Sequence, residues 1–171
     1  MNTKVLVAYA SKYGATKEIA EKIGQVLKDA GFTVDTLPAD RVADLAPYQA
    51  VVLGSAVYIG GWRKQAATFL KVNEKALAGK MVWLFSSGPT GQGDPVELVK
   101  GWHFPKALQH IADRVKPKDI VLFQGAAFPE KLNAINRWMM RKVKAPLGDF
   151  RDWNAITVWA GTIAAKLKKQ V

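Results

Sequence analysis

Three short stretches of this 171-residue chain gather the residue types that hold a phosphorylated, planar ligand. The first is Ser11-Lys12-Tyr13-Gly14-Ala15-Thr16, which runs directly into a helical pattern. Its hydroxyls, a glycine that permits close backbone approach, and the unpaired N–H groups of a helix start suit a terminal phosphate dianion. The expected contacts are Ser11, Gly14, Ala15 and Thr16. The spacing is neither G-x-x-x-x-G-K-[ST] nor G-x-G-x-x-G, which disfavours a nucleoside triphosphate and a dinucleotide. An ordinary βα turn capped by Ser or Thr has the same composition. The second stretch, Ser55-Ala56-Val57-Tyr58-Ile59-Gly60-Gly61-Trp62, joins small residues to two aromatics and paired glycines. A planar ring could stack there, and packing of Tyr58 and Trp62 against a helix at the rim is the alternative. The third, Ser86-Ser87-Gly88-Pro89-Thr90-Gly91 and on to Pro95, is longer than a plain βα connection. Its backbone N–H groups suit the polar edge of a ring.

The elements that must position these loops are legible as alternating patterns. Strands are expected at Lys4 to Tyr9, Phe32 to Leu37, Gln49 to Gly54, Lys80 to Ser86 and Asp119 to Gln124, with the third and fourth nearly uninterrupted in apolar character, as for central parallel strands. Helices are expected after Thr16 to a stop at Gly31, and over Arg63 to Leu77, His103 to Val115 and Trp153 to Leu167. Strands alternating with helices imply an α/β fold, a three-layer sandwich around a five-stranded parallel sheet of order 2-1-3-4-5. In such a sheet the ligand crevice lies outside the carboxyl ends of the strands, where the loops after strands 1, 3 and 4 converge.

Composition narrows the chemistry. The length is that of one ordinary domain, residues 1–171, and no low-complexity tract divides it. Cysteine is absent, so disulfides, thiolate catalysis and thiolate metal sites are excluded, and any redox chemistry must come from a cofactor. His103 and His110 lie in no cluster of metal-ligand spacing. The N-terminus enters a strand pattern with no signal-peptide core, and no apolar run approaches the length of a membrane span, so a cytoplasmic protein is expected. Lys and Arg number 25 against 14 Asp and Glu, a net charge of +11, which favours anionic partners without choosing among nucleic acid, membrane, acidic protein and phosphorylated ligand.

The loops and strand order together resemble the flavodoxin superfamily, with Ser11 to Thr16 standing where that family has its phosphate loop and Tyr13 where a hydroxyl amino acid is usual. The stretches GSAVYIGGW (Gly54 to Trp62) and Gly125 to Trp153 resemble the branch containing menaquinone-dependent protoporphyrinogen oxidase. This resemblance implies flavin mononucleotide (FMN) on the three loops, a small-molecule electron donor and a quinone acceptor, with nucleic acid disfavoured. It also implies an extra basic, aromatic-rich segment, about residues 128–150, between strand 5 and the last helix. Within it Leu132, Ile135, Met139 and Val143 recur at helical spacing, and Lys131, Arg137, Trp138, Arg141, Lys142 and Lys144 are expected to meet an anionic membrane or an acidic partner. A soluble electron-carrier flavodoxin and a cofactor-free binding module are the competing readings.

Overall fold

The computed structural model describes residues 3–170. Its centre is a parallel sheet of β1 (Lys4–Ala10), β2 (Thr33–Pro38), β3 (Ala50–Tyr58), β5 (Met81–Ser87) and β6 (Asp119–Phe123), with a two-residue strand β4 (Gly61–Trp62) folded back on β3. The order is β2-β1-β3-β5-β6, which is the expected 2-1-3-4-5 once β4 is set aside. Uninterrupted apolar runs form the central strands because both of their faces are covered. In β1, Leu6 and Ala8 face one layer and Val5 and Val7 the other, and all four are fully buried.

One covering layer is built from α2 (Lys64–Val72), α3 (Glu74–Ala78) and α5 (Gln109–Val115), with Phe69, Leu70, Leu77 and Ile111 packed inward. On the other face α1 (Ala15–Asp29) and α7 (Trp153–Lys168) bury Ile19, Ile23, Ile156 and Trp159 against Trp83 and Phe85. Gly54 permits this packing, since a Cβ there would lie 2.0 Å from Cζ of Phe85.

Several expected boundaries move. The helix over residues 63–77 breaks at Asn73, whose side-chain amide and backbone N–H both donate to the Phe69 carbonyl. The helix expected from His103 starts later, as a 3-10 turn at Lys106–Leu108, because Pro105 keeps the residues before it extended. A single turn, α4 (Pro95–Leu98), capped by Asp94, ends the loop after β5. β3 runs four residues further than expected, so Ser55 to Tyr58 are strand rather than loop. The chain then reverses through Ile59 (φ 51°) and Gly60 (φ 70°), a two-residue turn with both residues left-handed. Such a turn matches the twist of the β3–β4 hairpin.

The segment after β6 forms a small unit of its own. β7 (Ala126–Ala127) pairs antiparallel with β8 (Gly148–Asp149), and α6 (Ala134–Lys142) lies between them. Asn133 starts α6, its Oδ1 accepting the Asn136 N–H at 2.8 Å, as a helix-capping side chain does. No residue of α6 is fully buried. Among the described residues no helix is long and apolar enough to cross a membrane.

Candidate functional site

A cleft of about 610 Å³ opens at the carboxyl ends of β1, β3 and β5, within the size range of small-molecule sites. The first loop contributes Ser11, Lys12, Tyr13, Ala15 and Thr16 to its lining. Gly14 (φ 94°) stands at the N-cap of α1, where it can supply no side-chain cap, and its own N–H donates to Ser11 Oγ at 3.0 Å. The first turn of a 15-residue helix therefore ends in the cleft with no side chain closing it, next to the buried Thr16.

Ala56, Val57, Tyr58 and Ile59 form one wall. Tyr58 is half-buried, and burial pushes its phenol up, partly offset by Arg63. The Lys12 ammonium lies 5.2 Å from the Tyr13 ring centre and 5.7 Å from that of Tyr58, within cation–π range of both. For Tyr13, burial acts to raise the phenol, but hydrogen bonds from the Asn133 main chain and the Asn136 amide, with Lys12 beside it, outweigh that effect. The phenol therefore titrates below its ordinary value.

Ser87, Gly88, Pro89 and Thr90 form the opposite wall. This loop is held from β6: the Gln124 amide donates to the Gly91 carbonyl at 2.7 Å and the Gly93 carbonyl at 3.0 Å, and the Gly125 N–H donates to the Pro89 carbonyl at 2.8 Å. A Cβ on Gly125 would lie 3.0 Å from the Gly88 oxygen, so a larger residue would push the two backbones apart by a few tenths of an ångström. The Thr90 hydroxyl, at the wall of the cleft, is buried without a hydrogen-bond partner.

The roof comes from the extra segment. Leu132, Asn136, Trp138, Met139, Met140, Lys142 and Val143 line the cleft. The roof is tied down by polar contacts: Asn136 Nδ2 donates to Tyr13 Oη at 2.5 Å, and Arg151 bridges Asp149 and Glu18 while donating to the Ala15 carbonyl at 3.2 Å. The Arg151 guanidinium also lies over the Trp153 ring, 4.6 Å from its centre. Among the described residues no Asp or Glu lines the cleft.

Not every expected site residue arrives here. Trp62 is buried against Phe104, edge to face at 5.2 Å, and its indole N–H donates to Ser86 Oγ at 2.8 Å, so it does not stack in the cleft. Ser55 is equally internal: its hydroxyl donates to the Ala56 carbonyl and accepts the Arg63 N–H. The cause is the longer β3, which with the hairpin that follows carries Ser55 and Trp62 into the core. Gly60 and Gly91 shape turns with positive φ and do not line the cleft.

The surface group is corrected as well. Arg137 is not a free cation, because it donates to the carbonyls of Pro129 and Leu132 and braces the turn before α6. Leu132 precedes the helix and is buried, whereas Ile135 points to solvent, so the expected stripe divides. Lys131, Arg141, Lys142 and Lys144 are exposed. Sequence spacing does not point to Gln124, Asn136 and Arg151 as positioning residues; the Asn133-x-x-Asn136 spacing is the one available signal for the start of α6.

These donors fit FMN: an uncapped helix start with Ser11 and Thr16 for one phosphate, an orphaned Thr90 hydroxyl, a tyrosine wall and an acid-free lining for an anion. Among the described residues no group could hold a metal ion. Solved structures share the fold. A Pseudomonas aeruginosa flavodoxin variant has a TM-score of 0.64 at 15% identity, covering 97% of this chain and 99% of its own. The amino-acid sequence is similar to proteins named NAD(P)H dehydrogenase (quinone) from Nitrobacter winogradskyi, at 32% identity, and Afipia carboxidovorans, at 30%. Both similarities cover 53% of this chain and 59% of the relative, so the chain spans little more than half the length of these relatives. The profile of the flavodoxin domain family matches residues 6–154, and with the sheet order and the cleft at its carboxyl edge the chain belongs to that family.

Proposed function

We propose that this chain is an FMN-dependent oxidoreductase that accepts electrons from a reduced small molecule and delivers them to a quinone. The observation that carries this reading is the roof. A pure electron carrier needs only an accessible ring edge, whereas here α6 roofs the cleft with a largely apolar surface that carries no acid. The quinone dehydrogenase name of the relatives supports the acceptor class and points to a nicotinamide as one donor class. Oxidation of a protoporphyrinogen is the finer reading, supported by the likeness of Gly54 to Trp62 and Gly125 to Trp153 to that branch.

FMN supplies the electron chemistry when bound. The roles assigned to the chain are to hold the phosphate at Ser11, Gly14, Ala15 and Thr16, to present Tyr58 as a stacking wall, and to exclude water beneath Met139 and Met140. Lys12 and the overall positive field favour negative charge on a reduced ring. Two measurements test the reading. Anaerobically reduced holoprotein should be reoxidised by quinones from a panel of quinones and dyes, and its semiquinone/hydroquinone potential should be less negative than in acidic carrier flavodoxins. A strongly negative couple with no quinone turnover would establish the electron carrier instead. Thr16→Ala should weaken FMN by roughly 1.5–3 kcal/mol, on the order of 10- to 100-fold; an unchanged Kd would move the phosphate elsewhere.

A further inference from the structure

Trp138, Lys142 and Val143 line the mouth of the cleft, and Ile135 and Arg141 are exposed on the same helix without entering the lining. Ile135 is 70% exposed and Trp138 57%, and at the rim Val143 is 72% exposed and Ile59, across the opening, 91%. Apolar side chains this exposed, gathered around one opening, are unusual on a protein that meets only water. Their charged neighbours have one sign. The Lys142 ammonium lies 4.9 Å from the Trp138 ring centre, Arg141 and Lys144 are exposed, and the sequence holds no acid between Glu130 and Asp149.

From this arrangement we infer that the mouth of the cleft docks on an anionic lipid bilayer, with the exposed residues of α6 around that mouth in the headgroup region. The occupant follows from the chemistry of the patch. A tryptophan with a lysine over its ring, set between an isoleucine and cations, is the side-chain set that lies at an interface, apolar part inward and charge at the phosphates. Each cation near such a surface strengthens binding, and salt screens it. The same helix lines the cleft, with Trp138 and Lys142 at its mouth, so docking would bring the opening to the phase in which an apolar acceptor dissolves. As a route for the acceptor, the inference rests on the quinone reading above.

The test uses holoprotein with vesicles of phosphatidylcholine, with and without phosphatidylglycerol. Wild type should pellet with the anionic vesicles at low salt and be released by high salt. The variant I135D/R141E/K144E, none of whose changed residues lines the cleft, should bind them at least about tenfold more weakly. Equal pelleting of wild type and variant overturns the inference, as does a wild type that self-associates on size exclusion where the variant does not, since a second copy would then cover the face. An acidic soluble protein as partner is indicated, and the bilayer overturned, if neither vesicle binds. Reduction of a water-soluble, tail-less quinone separates the two readings. If it proceeds equally in both proteins while vesicle binding fails, docking alone is wrong; if it fails in both while vesicle binding holds, the quinone reading is wrong.

Discussion

The floor and the roof of the cleft are held by different forces. Beneath the cleft, Trp83 and Phe85 are wholly buried between the sheet and the pair α1 and α7, with Phe85 and Trp159 edge to face at 6.1 Å. Above it, α6 buries no residue completely and is fastened by Asn136 to Tyr13, by Arg137 to two loop carbonyls and by Arg151 to α1. Apolar burial is cooperative and shared across many neighbours, whereas a few hydrogen bonds can open one at a time. A rigid floor under a detachable roof is what a site needs if one ligand stays bound while another comes and goes.

The largest test of this contrast lies in the floor. Phe85→Ala should cost about 3–5 kcal/mol of global stability, because it removes a buried ring and leaves a cavity that Gly54 cannot fill. Urea unfolding measures it, and a loss below about 1 kcal/mol would mean that the floor is not the tightly packed layer described. The roof should respond differently. Arg151 has a side chain only 4% exposed, but Glu18 and Asp149 are 48% and 36% exposed. Water therefore screens part of the loss on Arg151→Ala. We expect about 1–3 kcal/mol, expressed as local opening. Amide exchange should accelerate in α6 and β8 while β3 and β5 stay protected; uniform acceleration would show that roof and floor unfold together.

The smallest effect belongs to a polar tie at the far end of the sheet. The Tyr48 hydroxyl donates to Asp35 Oδ2 at 2.7 Å, and Lys4 pairs with the same carboxylate at 2.9 Å. Burial, and then the bond to Asp35, push the Tyr48 phenol up to about 12, while the Tyr48 bond and Lys4 hold Asp35 below its usual range. A phenol whose folded-state value is raised contributes stability that is complete below the ordinary 10 and lost as the pH rises through 12. The stability difference between wild type and Tyr48→Phe should therefore be about 1 kcal/mol below pH 10 and shrink toward zero by about pH 12. A difference that grows with alkaline pH would remove Tyr48 as the donor.

The main strands were legible because burial on both faces demands continuous apolar runs, and 50–54 and 80–86 have little else. The β3–β4 hairpin was not. A β-branched Ile59 is a poor residue for a left-handed turn, and only the Gly60-Gly61 pair signalled one. Missing that turn put Ser55 and Trp62 in the cleft when both belong to the core.

Likewise, α6 was visible as a helix, but its apolar residues lie on both sides, so spacing alone could not say which side faced the ligand. By itself the sequence determined the strand order, the absence of thiol chemistry, the loop that leads into α1 and the positive charge, since each depends on residues close together in the chain or on composition. The tertiary structure alone decided the roof, because the bond from Asn136 to Tyr13 spans 123 residues and that from Arg151 to Ala15 spans 136. Hydrogen bonds of that range leave no periodic trace in a sequence, and they exist only once packing of the sheet has brought their ends together.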